Sequence, residues 1–214
     1  MIYAENILIC IAVPLAVTAA FVRGDARRFM LSSLAGMVLC LLSAYITGYI
    51  SSLGRLPQEE ISIYISPVTE ELIKLLPLLF ILYVFRPKDE MVFLCAVALG
   101  AGFATFENCC YILTAGAESL TYTLIRGLAV GVMHVVSVLA LAFGLVMIRR
   151  FRLVTLAGVM GALSLSTTFH ALYNLLVSGQ GVFPYIGYAL PLAAAVILYF
   201  LFRRFTGEAR TEPE

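Results

Sequence analysis

Apolar residues run along this chain in stretches too long for the core helices of a soluble domain. Seven of them reach the roughly 20 residues a helix needs to cross the hydrocarbon layer. They cover about 2–22, 29–50, 61–85, 91–113, 122–148, 153–177 and 183–202. The connections between them are short and polar, and no linker, repeat or low-complexity run marks a second domain. The pattern predicts an all-α, polytopic membrane protein of about seven transmembrane helices, forming a single domain over 1–214. One stretch departs from the helical period. In "ISIYIS" (Ile61 to Ser66), Ile at 61, 63 and 65 alternates with Ser62, Tyr64 and Ser66. That is a strand period, so the segment reads either as an extended edge or as the outer turns of the third span. Ser66-Pro67 follows as an N-cap and first helical residue, or else as a proline kink in a longer helix.

Charge gives the spans a direction. Arg23, Arg27, Arg28, Arg86, Lys88, Arg149, Arg150, Arg152, Arg203, Arg204 and Arg210 all follow odd-numbered spans, and only Arg55 lies in an even-numbered loop. Basic residues collect on the cytoplasmic side, so the N-terminus is expected outside and the C-terminus in the cytoplasm. Arg126, a few residues into span five, is expected to snorkel to the outer interface. The first span lacks a basic leader and reads as retained, not as a cleaved signal.

Composition agrees with a bilayer: 62% of the 214 residues are hydrophobic and 13% are charged. A net charge of +1 without a basic patch gives no reason to expect nucleic acid. Cys10, Cys40, Cys95, Cys109 and Cys110 lie inside apolar runs with no CxxC spacing, as small core residues would. Gly100, Gly102 and the run from Gly127 to Gly131 imply close helix packing. Tyr111, Tyr173 and Tyr185 read as packing or interfacial residues.

Against this background the ionisable residues within spans stand out. Glu70, Glu71 and Lys74 fall in span three and Glu107 in span four. Each costs about 2.5–3.5 kcal/mol on insertion scales, about 10 kcal/mol together before pairing returns some of it. Counted from the expected outer surface at 1.5 Å per residue, Glu70, Glu71, Glu107, His134 and His170 share a layer roughly 9–18 Å deep. Asn174 lies one turn beyond His170 on the same face. A layer of carboxylates and imidazoles can remove a proton from water, and His or Asn can steady an oxyanion. That is hydrolytic chemistry. The same donors also bind zinc, although no HExxH pair is present, and they would equally serve a proton- or ion-coupled transporter as a relay. Helix spacing leaves the pairing of Lys74 open: Glu70 at i,i+4 would free Glu71, and Glu71 at i,i+3 would free Glu70.

The motifs carry the reading further. "EELIK" (Glu70 to Lys74), "GFATFENCCY" (Gly102 to Tyr111), His134 in "GVMHVVS" and "FHALYN" (Phe169 to Asn174) occur in that order on successive spans. This set resembles the PrsW family of intramembrane proteases, relatives of the type II prenyl-protein endopeptidases. Those relatives carry F-x-x-x-H where this chain has Glu107, which favours PrsW. The resemblance implies a multi-pass protease of the bacterial plasma membrane, with its motifs on helices 61–177. It would make the first, extracytoplasmic-side cut in a single-pass anti-sigma factor, by water that a membrane-embedded glutamate activates. Carried onto this chain, Glu70 and Glu71 are the essential acidic pair, and Glu107, His134, His170 and Asn174 complete the catalytic set. Lys74 is the supporting cation. Analogy with the prenyl-protein enzymes points to Glu70 as the base. A divalent metal such as zinc is the alternative, with Glu71, Glu107, His134 and His170 as its expected ligands.

Overall fold

The computed structural model describes residues 3–116, 119–151 and 155–208, and every regular element among them is helical. Helix α1 covers Ala4–Phe21 and α2 Gly24–Gly54. A helical run from 58 to 85 follows without a break. It comprises the single turn α3 (Gln58–Glu60), a wide π turn (Ile61–Ile65), α4 (Ser66–Phe80) and a second π turn (Ile81–Phe85). Then come α5 (Asp89–Ala115), α6 (Leu120–Phe151), α7 (Thr155–Val177) and α8 (Phe183–Glu208). Arg55 and Arg86 end their helical runs in the left-handed conformation, with φ of 48° and 46°. The seven expected spans coincide with these elements, apart from the starts at 2 and 153, which lie outside the described residues. Arg152 and Arg210 of the basic asymmetry lie there too. Among the described residues, five helices, α1, α2, α5, α6 and α8, are by length and composition long and apolar enough to cross a membrane.

Helix α6 is central: it touches α4, α5, α7 and α8. Its inward face, with Val138, Leu141, Leu145 and Val146, joins Leu78, Val92, Ala96 and Leu99 in the main core. Helices α2 and α5 meet until their backbones touch. A Cβ at Gly102 would lie 2.0 Å from Ser33 O, and one at Gly36 2.1 Å from Leu99 O. Gly100 also brings α5 close to α6, where a Cβ would meet His134 O at 2.9 Å. Small residues are what permit such approaches between membrane helices. The expectation fails for Gly127 and Gly131, whose added Cβ atoms would meet nothing within 4 Å. Tyr173 is buried as expected, and Tyr185 is exposed. Cys40 and Cys95 are buried, but Cys10 is exposed, because α1 sits at the edge with only Ala19 buried.

The extended reading of "ISIYIS" is overturned. The segment is a π turn, with Ile61 and Ile63 buried and Tyr64 exposed. No partner strand exists among the described residues, and a lone extended segment at membrane depth would leave its main-chain groups unsatisfied. Ser66 does not cap a helix start, because Ile65 before it is already helical (φ −90°, ψ −49°). Pro67 instead marks the change from π to α geometry inside a continuous helix.

Candidate active site

The local consequence of Pro67 shapes this site. In the π turn the Ser66 N–H reaches back five residues to Ile61 O. The next donor in that register would be residue 67, bonding to Ser62 O, but proline has no N–H. Asn174 Nδ2 of α7 donates to Ser62 O instead, at 2.8 Å. Asn174 therefore binds α7 to the π turn ahead of α4, eight residues before Glu70. No hydrogen bond links it to Glu70, Glu71 or the histidines.

Four helices converge behind that junction. Glu71 is wholly buried and accepts from four side chains. Lys74 Nζ lies 2.8 Å from Oε1, His170 Nδ1 2.9 Å and Ser137 Oγ 3.1 Å, while Ser166 Oγ lies 2.6 Å from Oε2. Four donors fill a carboxylate's acceptor capacity. Glu70 is placed differently. Its Oε1 accepts from Ser66 Oγ at 2.6 Å, but Oε2 is buried without a hydrogen-bond partner. Around Oε2 stand Lys74 Nζ at 3.6 Å and His170 Nε2 at 3.9 Å. Lys74 thus serves both carboxylates, the tighter contact going to Glu71 at i,i+3.

These contacts fix the histidine tautomers. His170 Nδ1 faces a carboxylate, so it carries the proton and leaves a lone pair on Nε2. His134 Nδ1 lies 2.8 Å from Lys74 Nζ and must accept, so its Nε2 donates to Glu107 Oε2. The two rings meet edge to face at 5.1 Å. Phe103 lies beneath the Lys74 ammonium, 4.0 Å from its ring centre, and also packs on His134. Arg126 turns inward and does not snorkel outward. It pairs with Glu107 at 3.4 Å and stacks on the Tyr111 ring at 3.4 Å. Pairing spares both groups the cost of burial alone.

The structure therefore joins Glu70, Glu71, Lys74, Glu107, His134 and His170 in one network, with Asn174 at its edge. Sequence reasoning missed Ser66, Ser137 and Ser166. Their signal was spacing: Ser137 follows His134 by three residues and Ser166 precedes His170 by four, placing each on the site face of its helix. The metal question also shifts. The ligand atoms within 4.8 Å of one another belong to Glu70, His134 and His170, whereas the expected ligand Glu71 is saturated by its donors. One carboxylate and two imidazoles have the composition of a catalytic zinc site, and Glu70 Oε2 is an orphaned buried acceptor suited to it. Glu71 behind His170 and Glu107 behind His134 stand where carboxylates commonly orient metal-binding histidines.

No curated protein and no solved structure matches the chain. A family model described as "PrsW family intramembrane metalloprotease" matches residues 13–203. With that match over most of its length, and with a buried Glu–His–Lys network on four helices, the chain belongs to the PrsW family of intramembrane metalloproteases.

Proposed function

We propose that this protease makes the extracytoplasmic-side cut in a single-pass membrane protein of the anti-sigma-factor type, in the bacterial plasma membrane. All seven helical runs would cross the bilayer, with the N-terminus outside. The basic asymmetry supports the orientation, and the family resemblance supports the substrate class and its part in a stress response. One observation supports the hydrolytic step: Glu70 has a buried carboxylate oxygen facing His170 that makes no hydrogen bond, while Glu71 accepts from four donors. Water between Glu70 Oε2 and His170 Nε2 donates a hydrogen bond to each acceptor and turns its oxygen lone pair towards the scissile carbonyl. Glu70 takes the proton as that water attacks and returns it to the leaving amine. Lys74 balances the charge of both carboxylates, and Glu71 holds the His170 ring.

A second reading rests on the three converging donors. Glu70, His134 and His170 would hold a divalent metal such as zinc, which when bound supplies Lewis-acid polarisation. Lys74 separates the readings, because its ammonium already gives Glu70 and His134 a cation. The test is incubation of purified protein with a single-pass substrate, with and without a strong chelator. Cleavage that survives the chelator supports the glutamate reading, and cleavage lost to it and restored by zinc supports the metal. An ion-coupled transporter using this layer as a relay would yield no fragment under any condition.

A further inference from the structure

Gly127 and Gly131 have no packing reason within this chain, since a Cβ at either would meet open space. A helical glycine costs about 1 kcal/mol relative to alanine, and this pair, four residues apart on one face of α6, leaves room for an outside backbone to come close. Both line an apolar groove of about 760 Å³ formed by α5, α6 and α8. On α5 the lining extends from Glu90 to Asn108, eighteen residue steps along the helix. That is about 27 Å of helix, close to the full hydrocarbon thickness of about 30 Å. At one end α8 closes the groove, with Phe202 edge-on to Phe93 at 5.1 Å.

The other end is polar. Asn108 Oδ1 and Arg126 Nε are both buried without a hydrogen-bond partner. They line a small cavity of about 80 Å³ that shares Asn108 and Gly127 with the groove. One atom is an acceptor and the other a donor, the complement of a peptide N–H and C=O. Such groups lose their partners where a substrate helix unwinds. Arg126 also holds Glu107, which holds His134, so this end adjoins the catalytic network.

We propose that the groove is the docking site for the transmembrane helix of the substrate, an inference that rests on the protease reading. The helix lies against Gly127 and Gly131, and its first unwound residues bond to Asn108 and Arg126. A phospholipid is the competing occupant, but one lipid covers a single leaflet, and this groove runs nearly the full span.

The test uses purified full-length protein in phosphatidylcholine nanodiscs, a photo-crosslinking amino acid at Val132 and a labelled single-pass Leu/Ala helix with an extended outer segment. Gly131→Leu and, as a second variant, Thr105→Phe at an exposed groove position are compared with Gly48→Leu, an exposed glycine on α2 outside the groove. The expected result is a crosslink to the labelled helix that falls about tenfold or more in both groove variants and stays unchanged in Gly48→Leu. The KM for cleavage of that helix should rise in parallel. A crosslink unaffected by both groove variants, or one formed with phosphatidylcholine alone, overturns the proposal. A normal crosslink pattern with no cleavage by the unmodified protein overturns the protease reading and leaves the docking site standing.

Discussion

Glu70 and Glu71 are adjacent in sequence, yet their surroundings assign them different work. Glu71 accepts from Lys74, His170, Ser137 and Ser166 on three helices, so its removal leaves the Lys74 ammonium buried and poorly compensated. Breaking such a pair costs about 3–5 kcal/mol. Glu71→Gln is therefore expected to lower both the melting temperature in detergent and the turnover. Glu70→Gln removes a proton acceptor whose Oε2 makes no hydrogen bond in the fold. It should leave melting near that of the unmodified protein while reducing turnover by about 100-fold to 10,000-fold. Equal melting temperatures for the two variants, or near-normal cleavage by Glu70→Gln, would contradict this division of roles. Ser166→Ala, which removes the 2.6 Å bond to Glu71 Oε2, should destabilise by about 1.5–3 kcal/mol, as expected for a hydrogen bond to a charged group. Thermal unfolding reads that change directly.

Among elements, the junction between the π turn and α4 invites a rescue experiment. Pro67 removes the donor that Ser62 O would receive in the π register, and Asn174 supplies one from α7. Asn174→Ala leaves a partly buried carbonyl without its partner, costing about 1–3 kcal/mol, and loosens the helix carrying Glu70. Pro67→Ala restores a main-chain N–H at that position. The double variant should accordingly recover stability and turnover relative to Asn174→Ala alone. If Asn174 acts only as an oxyanion donor, Pro67→Ala will rescue nothing, and a kinetic comparison of the three variants decides between the roles. The element boundaries were largely legible in the hydrophobic pattern. The π turn was not, because its alternation of Ile and Ser resembles a strand, and only the demand for internal hydrogen bonding at membrane depth excludes one.

For the whole molecule, the orientation is open to a direct measurement. In a background whose five cysteines are replaced, a cysteine at Ser119 should react with an impermeant thiol reagent applied to intact cells. One at Lys88, which is exposed in the α4–α5 connection, should not. Reversed labelling would move the polar network to the cytoplasmic half and end the proposal of an extracytoplasmic cut.

The sequence by itself determined the helical segments, since apolar runs of this length have few other solutions. It also placed Glu70, Glu71, Glu107, His134 and His170 at matching heights along neighbouring helices, since rise per residue turns position along a helix into height, and the structure brings them together. It could not determine rotation about each helix axis or which face meets which neighbour, because those depend on close contacts such as Gly102 against Ser33. The tertiary structure alone therefore decided that Lys74 sides mainly with Glu71 and that Arg126 turns inward to Glu107. It also decided that Asn174 is bonded to a main-chain carbonyl and that Gly127 and Gly131 line an open groove. Depth is a one-dimensional property that a chain can spell out. The partners of a buried charge are set by how neighbouring helices turn towards it, and no single helix carries that information.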